Sequence, residues 1–423
     1  VLTNGDCVVM RTGNYGSFSN TTTYTKPTIY IAESGNTPVL SNIRLVDNDL
    51  PNHKPGDPST AYKTNLIFYG ISIIPDYVDP ATSGNIGSDD PQYSEATAST
   101  YAKCDYGVYL KWYGLIKFFN CPMTPSATYG TSKKFLSNSA ISLINAPDVW
   151  VEGCELNSFN SGIEYTASPR LRIYYNYIHG VAGGMISNKD TLSLNTVIEG
   201  NHIYDSNWAT TDDYCPRRSV DDYYHGSFIA IRGCNTVVRN NIMHYGCNSS
   251  GMMLYTDVNT SYSNILIEGN QIYDSNNVYT IRLYNVNSNI VIRNNTLIGK
   301  GIYGSSGPYK YETGLLLDTF IGNATDNNVF IHNNIIVGRL SLPASLSAVN
   351  IKGNIVYSTS TPLSAENIVV YENYNLNYFE SGFFTGTLDV SWQFWDVTPP
   401  GNNLANPHGH GNFLDLTLAI GSH

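Results

Sequence analysis

A nine-residue pattern, N-x-x-I-x-(G/N)-N-x-(I/L/M), recurs from residue 170 onward and restricts this chain more than any other feature. It is spelled NTVIEGNHI at 195–203, NTVVRNNIM at 235–243, NILIEGNQI at 264–272, NIVIRNNTL at 289–297 and NVFIHNNII at 328–336. RLRIYYNYI at 170–178 and AVNIKGNIV at 348–356 are looser copies. The third-from-last position aligns Asn176, Asn201, Asn241, Asn270, Asn295, Asn334 and Asn354, at intervals of 25, 40, 29, 25, 39 and 20 residues. A repeat of roughly 20–25 residues with occasional insertions suits a β-solenoid rather than a helical array or a propeller blade.

The columns explain the repeat. Ile173, Ile198, Val238, Ile267, Ile292, Ile331 and Ile351 stand three residues before the Asn; Ile178, Ile203, Met243, Ile272, Leu297, Ile336 and Val356 stand two after it. Both sets are apolar and should stack inward. The Asn column itself reads as an internal ladder at a bend, each amide bonding to its equivalent about 4.8 Å above and below. Two residues before the Asn the series Tyr174, Glu199, Arg239, Glu268, Arg293, His332, Lys352 should face outward. Its alternating charges are expected to neighbour one another as a structural ladder, which argues against a catalytic role.

A second strand accompanies each copy, as in SGIEYTAS at 161–168, SFIAIRG at 227–233, GMMLYTD at 251–257, TIRLYNV at 280–286 and GLLLDTF at 314–320. Less regular strands precede them: DCVVMRTG at 6–13, PTIYIAES at 27–34, LIFYGISII at 66–74, VYLKWYGLIKFF at 108–119 and DVWVEGCEL at 148–156. The pattern predicts an all-β, single-domain right-handed parallel β-helix of ten or more coils over residues 1–364. Residues 365–423, with Trp392, Phe394 and Trp395, are expected to add a last coil or cover the end.

These copies resemble the β-helix repeats of the pectate lyase-like superfamily. GDCVVMRTGNYGSF at 5–18 is similar to the first coil of such domains, and NFLDLTLAIGSH at 412–423 to their closing segment. The resemblance implies the fold but not one activity, because lyases, hydrolases, epimerases, tailspikes and adhesins share it. The polygalacturonase-type hydrolases of this superfamily place NTD, DD and GHG on successive coils. Gly409-His410-Gly411 spells GHG after His408, yet the nearest acidic pairs, Asp212-Asp213 and Asp221-Asp222, lie several coils away. No run resembles the RxPxxR motif of pectate lyases.

Composition narrows the partners. Of 423 residues only 13% are charged, the net charge is −11, and 33 are tyrosine. A disordered chain would be charge-rich and poor in aromatics. Without a basic run, nucleic acid is not an expected partner, and no apolar stretch reaches the roughly 18 residues of a membrane span. A leader already removed before Val1 would fit an extracellular or cell-surface protein. Sequons at Asn20, Asn248, Asn259, Asn294 and Asn323 are glycosylation candidates. None of Cys7, Cys104, Cys121, Cys154, Cys215, Cys234 and Cys247 has a zinc-type spacing. Burial as small apolar side chains is the simple expectation for several of them, and a Cys215–Cys247 disulfide would suit an oxidising compartment.

Two insertions leave the coil after the Asn-bearing strand, between Asn201 and Asn241 and between Asn295 and Asn334. The first carries Trp208, Arg217, Arg218, Tyr223, Tyr224 and His225; the second Tyr303, Tyr309, Lys310 and Tyr311. A groove is expected between them, lined by an outward column three after the Asn: His179, Tyr204, His244, Tyr273. This column, with Trp208, Tyr224 and Tyr309, is a candidate sugar-binding surface or else a purely stabilising aromatic stack. Lyase chemistry needs a cation for a uronate carboxylate and a base for the α-proton. Arg217, Arg218 or Lys310 are candidates for the cation and His225, His244 or Tyr224 for the base. Asp212, Asp213, Asp221 and Asp222 are weak Ca²⁺ candidates; no other cofactor is implied, and the loop also reads as a solvated polar segment.

The strand DCVVM begins at residue 6 without a preceding amphipathic cap. An open coil edge predicts self-association through that end. The leading expectation from sequence is therefore a self-associating extracellular β-solenoid. The alternative is a polysaccharide lyase or depolymerase acting on an acidic polysaccharide, or a glycan-binding adhesin.

Overall fold

The computed structural model describes residues 5–48, 57–78, 101–104, 106–126, 134–135, 139–159, 161–181, 183–206, 227–244, 250–254, 263–275, 279–283, 288–299, 313–317, 329–337, 339–341, 349–357, 368–372 and 376–377. Three parallel sheets wind around one core as a right-handed parallel β-helix. The first sheet runs through twelve successive strands, from Cys7–Met10 to Val349–Tyr357, each paired in parallel with the strand one coil away. The second sheet follows it around a tight bend, with strands such as Glu155–Asn157, Tyr177–Val181, His202–Ser206, Ile242–His244 and Gln271–Ser275. The third sheet contains 11 strands, among them Val108–Lys111, Ser139–Ile144, Ser161–Thr166, Ile186–Asn188 and Ser227–Ile231.

The bend between first and second sheets shows why the repeat reads as it does. The residue before each ladder Asn adopts the left-handed conformation: Tyr175, Gly200, Asn240, Gly269, Asn294, Asn333 and Gly353 all have positive φ, as do Asn120 and Gly153 at the same corner of earlier coils. Glycine and asparagine tolerate it best, which accounts for the G/N position. The first Asn of the pattern is left-handed too, at Asn195, Asn235, Asn264 and Asn289. It makes a second, outer ladder: Asn264 Nδ2 donates to Asn235 Oδ1 at 2.9 Å, and Asn289 Nδ2 to Asn264 Oδ1 at 3.0 Å.

The inner ladder is continuous. Asn201 Nδ2 donates to Asn241 Oδ1, Asn241 to Asn270, Asn270 to Asn295 and Asn295 to Asn334, each at 2.9–3.0 Å. All seven Asn, 176 to 354, are buried. In the two preceding coils the same register position holds Cys154 and Cys121. Asn176 Oδ1 accepts from Cys154 N at 2.9 Å, Cys154 Sγ from Cys121 N at 3.4 Å. The expectation of buried cysteines is met by these two, which continue the ladder with sulfur in place of an amide.

The inward columns pack as the pattern requires. Tyr30, Phe68 and Phe118 stack through the early coils at 5.4 Å centroid spacing, and the same column continues as Val151, Ile173, Ile198, Val238 and Ile267, all buried. Each such side chain withdraws about 1.5–3 kcal/mol of apolar surface from water. In the first coil Met10 is buried, Val8 packs against the core and Val9 faces out. The outward charge series is a ladder: Arg239 bonds Glu199 at 2.8 Å and Arg293 bonds Glu268 at 2.9 Å.

Two details depart from the sequence reading. VYLKWYGLIKFF is not one strand: Val108–Lys111 belongs to the third sheet and Tyr113–Phe119 to the first, with buried Trp112 at φ 66° making the corner. LIFYGISII likewise divides at Gly70, φ 68°. A corner made by a single left-handed residue leaves almost no gap in an apolar run, so the run reads as continuous. Towards the C-terminal end Ile368–Glu372 pairs antiparallel with Val349–Tyr357, and Leu376–Asn377 antiparallel with Ile368–Glu372.

Candidate functional site

Insertions cluster on one edge, where chain passes from second to third sheet. It leaves at Ile73 and returns at Val108; between lie Tyr77–Val78 and Tyr101–Cys104, which with Lys134–Phe135 form a separate small sheet. In the next coil the interval runs from Met123 to Ser139, and later ones from Ser206 to Ser227 and from Gly299 to Thr313. Both insertions expected from sequence therefore leave the same edge. The two coils between the early pair and the Ser206–Ser227 interval cross directly, from Asn157 to Ser161 and from Val181 to Ile186. This stretch of short crossings lies N-terminal to the groove expected from sequence.

On the third-sheet side of this stretch the outward column reads Arg44, Tyr109, Ser142, Glu164, Ser187, Ala230. Arg44 lies over the Tyr109 ring at 5.4 Å. Glu164 is set among small side chains: Ser139 Oγ donates to its Oε2 at 2.7 Å and Lys189 Nζ pairs with its Oε1 at 3.1 Å. Burial pushes the Glu164 carboxyl up, but Lys189 and the serine hydroxyls pull harder, and the net effect holds it below the ordinary carboxylate value. It is thus an ionised acceptor beside an exposed ammonium donor. Sequence reading counted 161–168 only as a strand. The signal it lacked was register: Glu164 and Lys189 are neighbours only because Tyr165 pairs with Asn188 one coil on.

On the second-sheet side the aromatic column is stacked, as one of the two expectations for it required. His179 lies on Tyr204 at 4.8 Å and 3°, Tyr204 on His244 at 5.4 Å and 9°, and His244 on Tyr273 at 5.2 Å and 4°. Two corrections follow. His244 keeps the outward register of the column but is 1% exposed, so it is not accessible as a base. The ring faces are also occupied by one another, so bound sugar would meet ring edges, phenol hydroxyls and imidazole nitrogens. His202 Nε2 lies 2.7 Å from His244 Nε2, and His179 Nε2 lies 3.0 Å from Glu155 Oε1.

His225, Arg217, Arg218, Lys310, Trp208, Tyr223, Tyr224, Tyr303, Tyr309, Tyr311, Asp212, Asp213, Asp221 and Asp222 lie outside the described residues, as do Cys215, Cys247, Asn248, Asn259 and Asn323. Of the two described sequons, Asn294 is exposed, and Asn20 donates from Nδ2 to the Tyr24 hydroxyl at 2.9 Å. Among the described residues no three His, Cys, Asp or Glu side chains are grouped to hold a metal ion, and no helix is long and apolar enough to cross a membrane.

No family model matches the chain, and no curated protein does. Solved structures do. An alginate lyase from Paenibacillus sp. is 12% identical, with 69% of this chain and 88% of that one covered and a TM-score of 0.40. A mannuronic acid specific polysaccharide family 6 lyase from human gut microbiota is 14% identical, covering 86% and 84%, at 0.40. PfbA, a surface adhesin of Streptococcus pneumoniae, is 10% identical, covering 88% and 91%, at 0.42.

Proposed function

We propose that this protein is an extracellular or surface-displayed β-helix that binds an extended polysaccharide. The ligand would lie along the edge shared by the second and third sheets. The observation that carries the reading is the paired site where the insertions are absent: Glu155–His179 on one face, Glu164–Lys189–Ser139 on the next. The ionised Glu164 with its Lys189 ammonium and Ser139 hydroxyl matches a hydroxyl-rich ligand, which offers donors and acceptors in alternation. The strands repeat roughly every 4.8 Å along the axis, so a polymer lying along that axis would span several coils. This reading stands ahead of self-assembly, because the polar groups are assembled on a side face and not at the first coil.

Cleavage is a second reading, supported by the presence of His179 as a base candidate and Lys189 as a cation on adjoining faces. The experiment is affinity electrophoresis through gels containing alginate, polygalacturonate, xylan or dextran, with ultraviolet detection of unsaturated products. Retention by at least one polysaccharide, weakened in Glu164→Gln and Lys189→Ala, is expected. Migration unaffected by every polymer refutes the reading.

A further inference from the structure

The left-handed corner column contains one residue that the backbone does not favour. Around it stand Gly70, Asn120, Gly153, Gly200, Asn240 and Gly269; in their midst Tyr175 takes the same conformation at φ 53°. A bulky side chain pays steric strain there. Tyr175 is nevertheless 57% exposed, so the ring recovers little of that cost by burial. Its neighbour is adapted to it, since a Cβ on Gly200 would come within 2.4 Å of the Tyr175 ring.

Tyr175 belongs to a band of rings. Tyr69, Phe119, Trp150, Tyr174 and Tyr175 follow one another over four coils at centroid distances of 6.5, 5.8, 5.6 and 6.2 Å. Unlike the His179–Tyr273 column, these rings meet edge-on or tilted, so their faces are not consumed by mutual stacking. Tyr69, Tyr175 and Tyr177 are three of the most exposed large apolar side chains among the described residues. Around the corner Tyr177 pairs with Glu155 and with His202, and its ring touches His202 at 5.9 Å. Tyr177, two residues on from Tyr175, therefore stands on the strand of His179 and beside its partner Glu155.

We propose that Tyr175, with Tyr69 and Tyr177, is a second carbohydrate-binding platform that extends the polymer path around the corner onto the first sheet. The inference rests on the polysaccharide reading. Saccharides fit because aromatic faces match the C–H faces of sugar rings while phenol hydroxyls and nearby charged groups match their hydroxyl rims. Lys117 over Trp150 at 5.0 Å and Glu152 accepting from Trp150 Nε1 at 2.8 Å supply such groups.

The test uses Tyr175→Asn, which gives the corner the residue type found elsewhere in the column. Binding to the same four polysaccharides and the urea midpoint are measured for wild type, Tyr175→Asn, Tyr177→Asn and Glu164→Gln. Affinity about tenfold weaker in Tyr175→Asn, at an unchanged or higher midpoint, is expected. Wild-type affinity in Tyr175→Asn and Tyr177→Asn, alongside loss in Glu164→Gln, overturns this inference and leaves the polysaccharide reading standing. A lowered midpoint in Tyr175→Asn overturns it too, because the ring would then serve the fold. Wild type bound by none of the four refutes both readings together.

Discussion

Truncating Asn241 to Ala should weaken the middle of the stack. Its Oδ1 accepts from both Asn201 N and Asn201 Nδ2 at 2.9 Å, and its Nδ2 donates to Ile198 O at 3.0 Å and to Asn270 Oδ1 at 2.9 Å. Asn201 Nδ2 keeps bonds to Ile173 O and Glu199 O, and Asn270 Oδ1 keeps Asn241 N. The group deprived is the Asn201 backbone N–H, because the parallel ladder between Val197–Glu199 and Thr236–Arg239 still gives the Ile198 carbonyl a backbone donor. One buried group left unsatisfied costs about 1–3 kcal/mol, so the expected loss is about 2 kcal/mol. Asn241→Cys should cost less, because Cys154 accepts the Cys121 N–H in the equivalent place. Urea unfolding followed by tryptophan fluorescence measures both. A loss under about 1 kcal/mol for Asn241→Ala, or equal losses for Ala and Cys, would show that the ladder amides are not held as hydrogen-bonding necessities.

Glu164 should impose an acid limb on stability. Its folded pKa lies below the ordinary value, so its contribution is complete above the normal carboxylate range and is lost as pH falls through the lowered value. Denaturation midpoints of Glu164→Gln should therefore converge on wild type in acid and separate above it; a constant difference across that window would refute the assignment. Cys121 and Cys154 should resist alkylation until the coils unfold, since both are fully buried and burial pushes the Cys154 thiol well up. Exposed Cys7 should react in the native protein, and mass spectrometry of labelled peptides decides. Rapid native labelling at Cys121 would contradict the packing described.

Much of the solenoid was legible because its determinants are one-dimensional. Residues separated by one coil stack in register, so the apolar columns through Ile198 and Ile203 and the Asn ladder from Asn176 to Asn354 appear in the sequence as columns of like residues. The early coils were less legible for a physical reason. At the ladder position Cys121 and Cys154 satisfy the bend with sulfur, and Ile71 fills it in the coil before, where Gly70 N donates to Phe119 O at the corner. A repeat defined by Asn fades there although the geometry does not change.

The functional surface depended on tertiary structure. Glu164 and Lys189 become partners only through the pairing of adjacent coils, and the direct crossings at Asn157–Ser161 and Val181–Ile186 acquire meaning only beside longer intervals in neighbouring coils. His244 sits in the outward register of its strand yet is buried, a fact that the sequence pattern does not carry. The strain at Tyr175 is equally invisible in a linear chain, where a tyrosine among Asn and Gly is only a substitution. By itself the sequence determined the solenoid, through side-chain chemistry repeated from coil to coil. The tertiary structure decided which exposed groups stand together, because the varying lengths of chain between strands erase that information from the sequence.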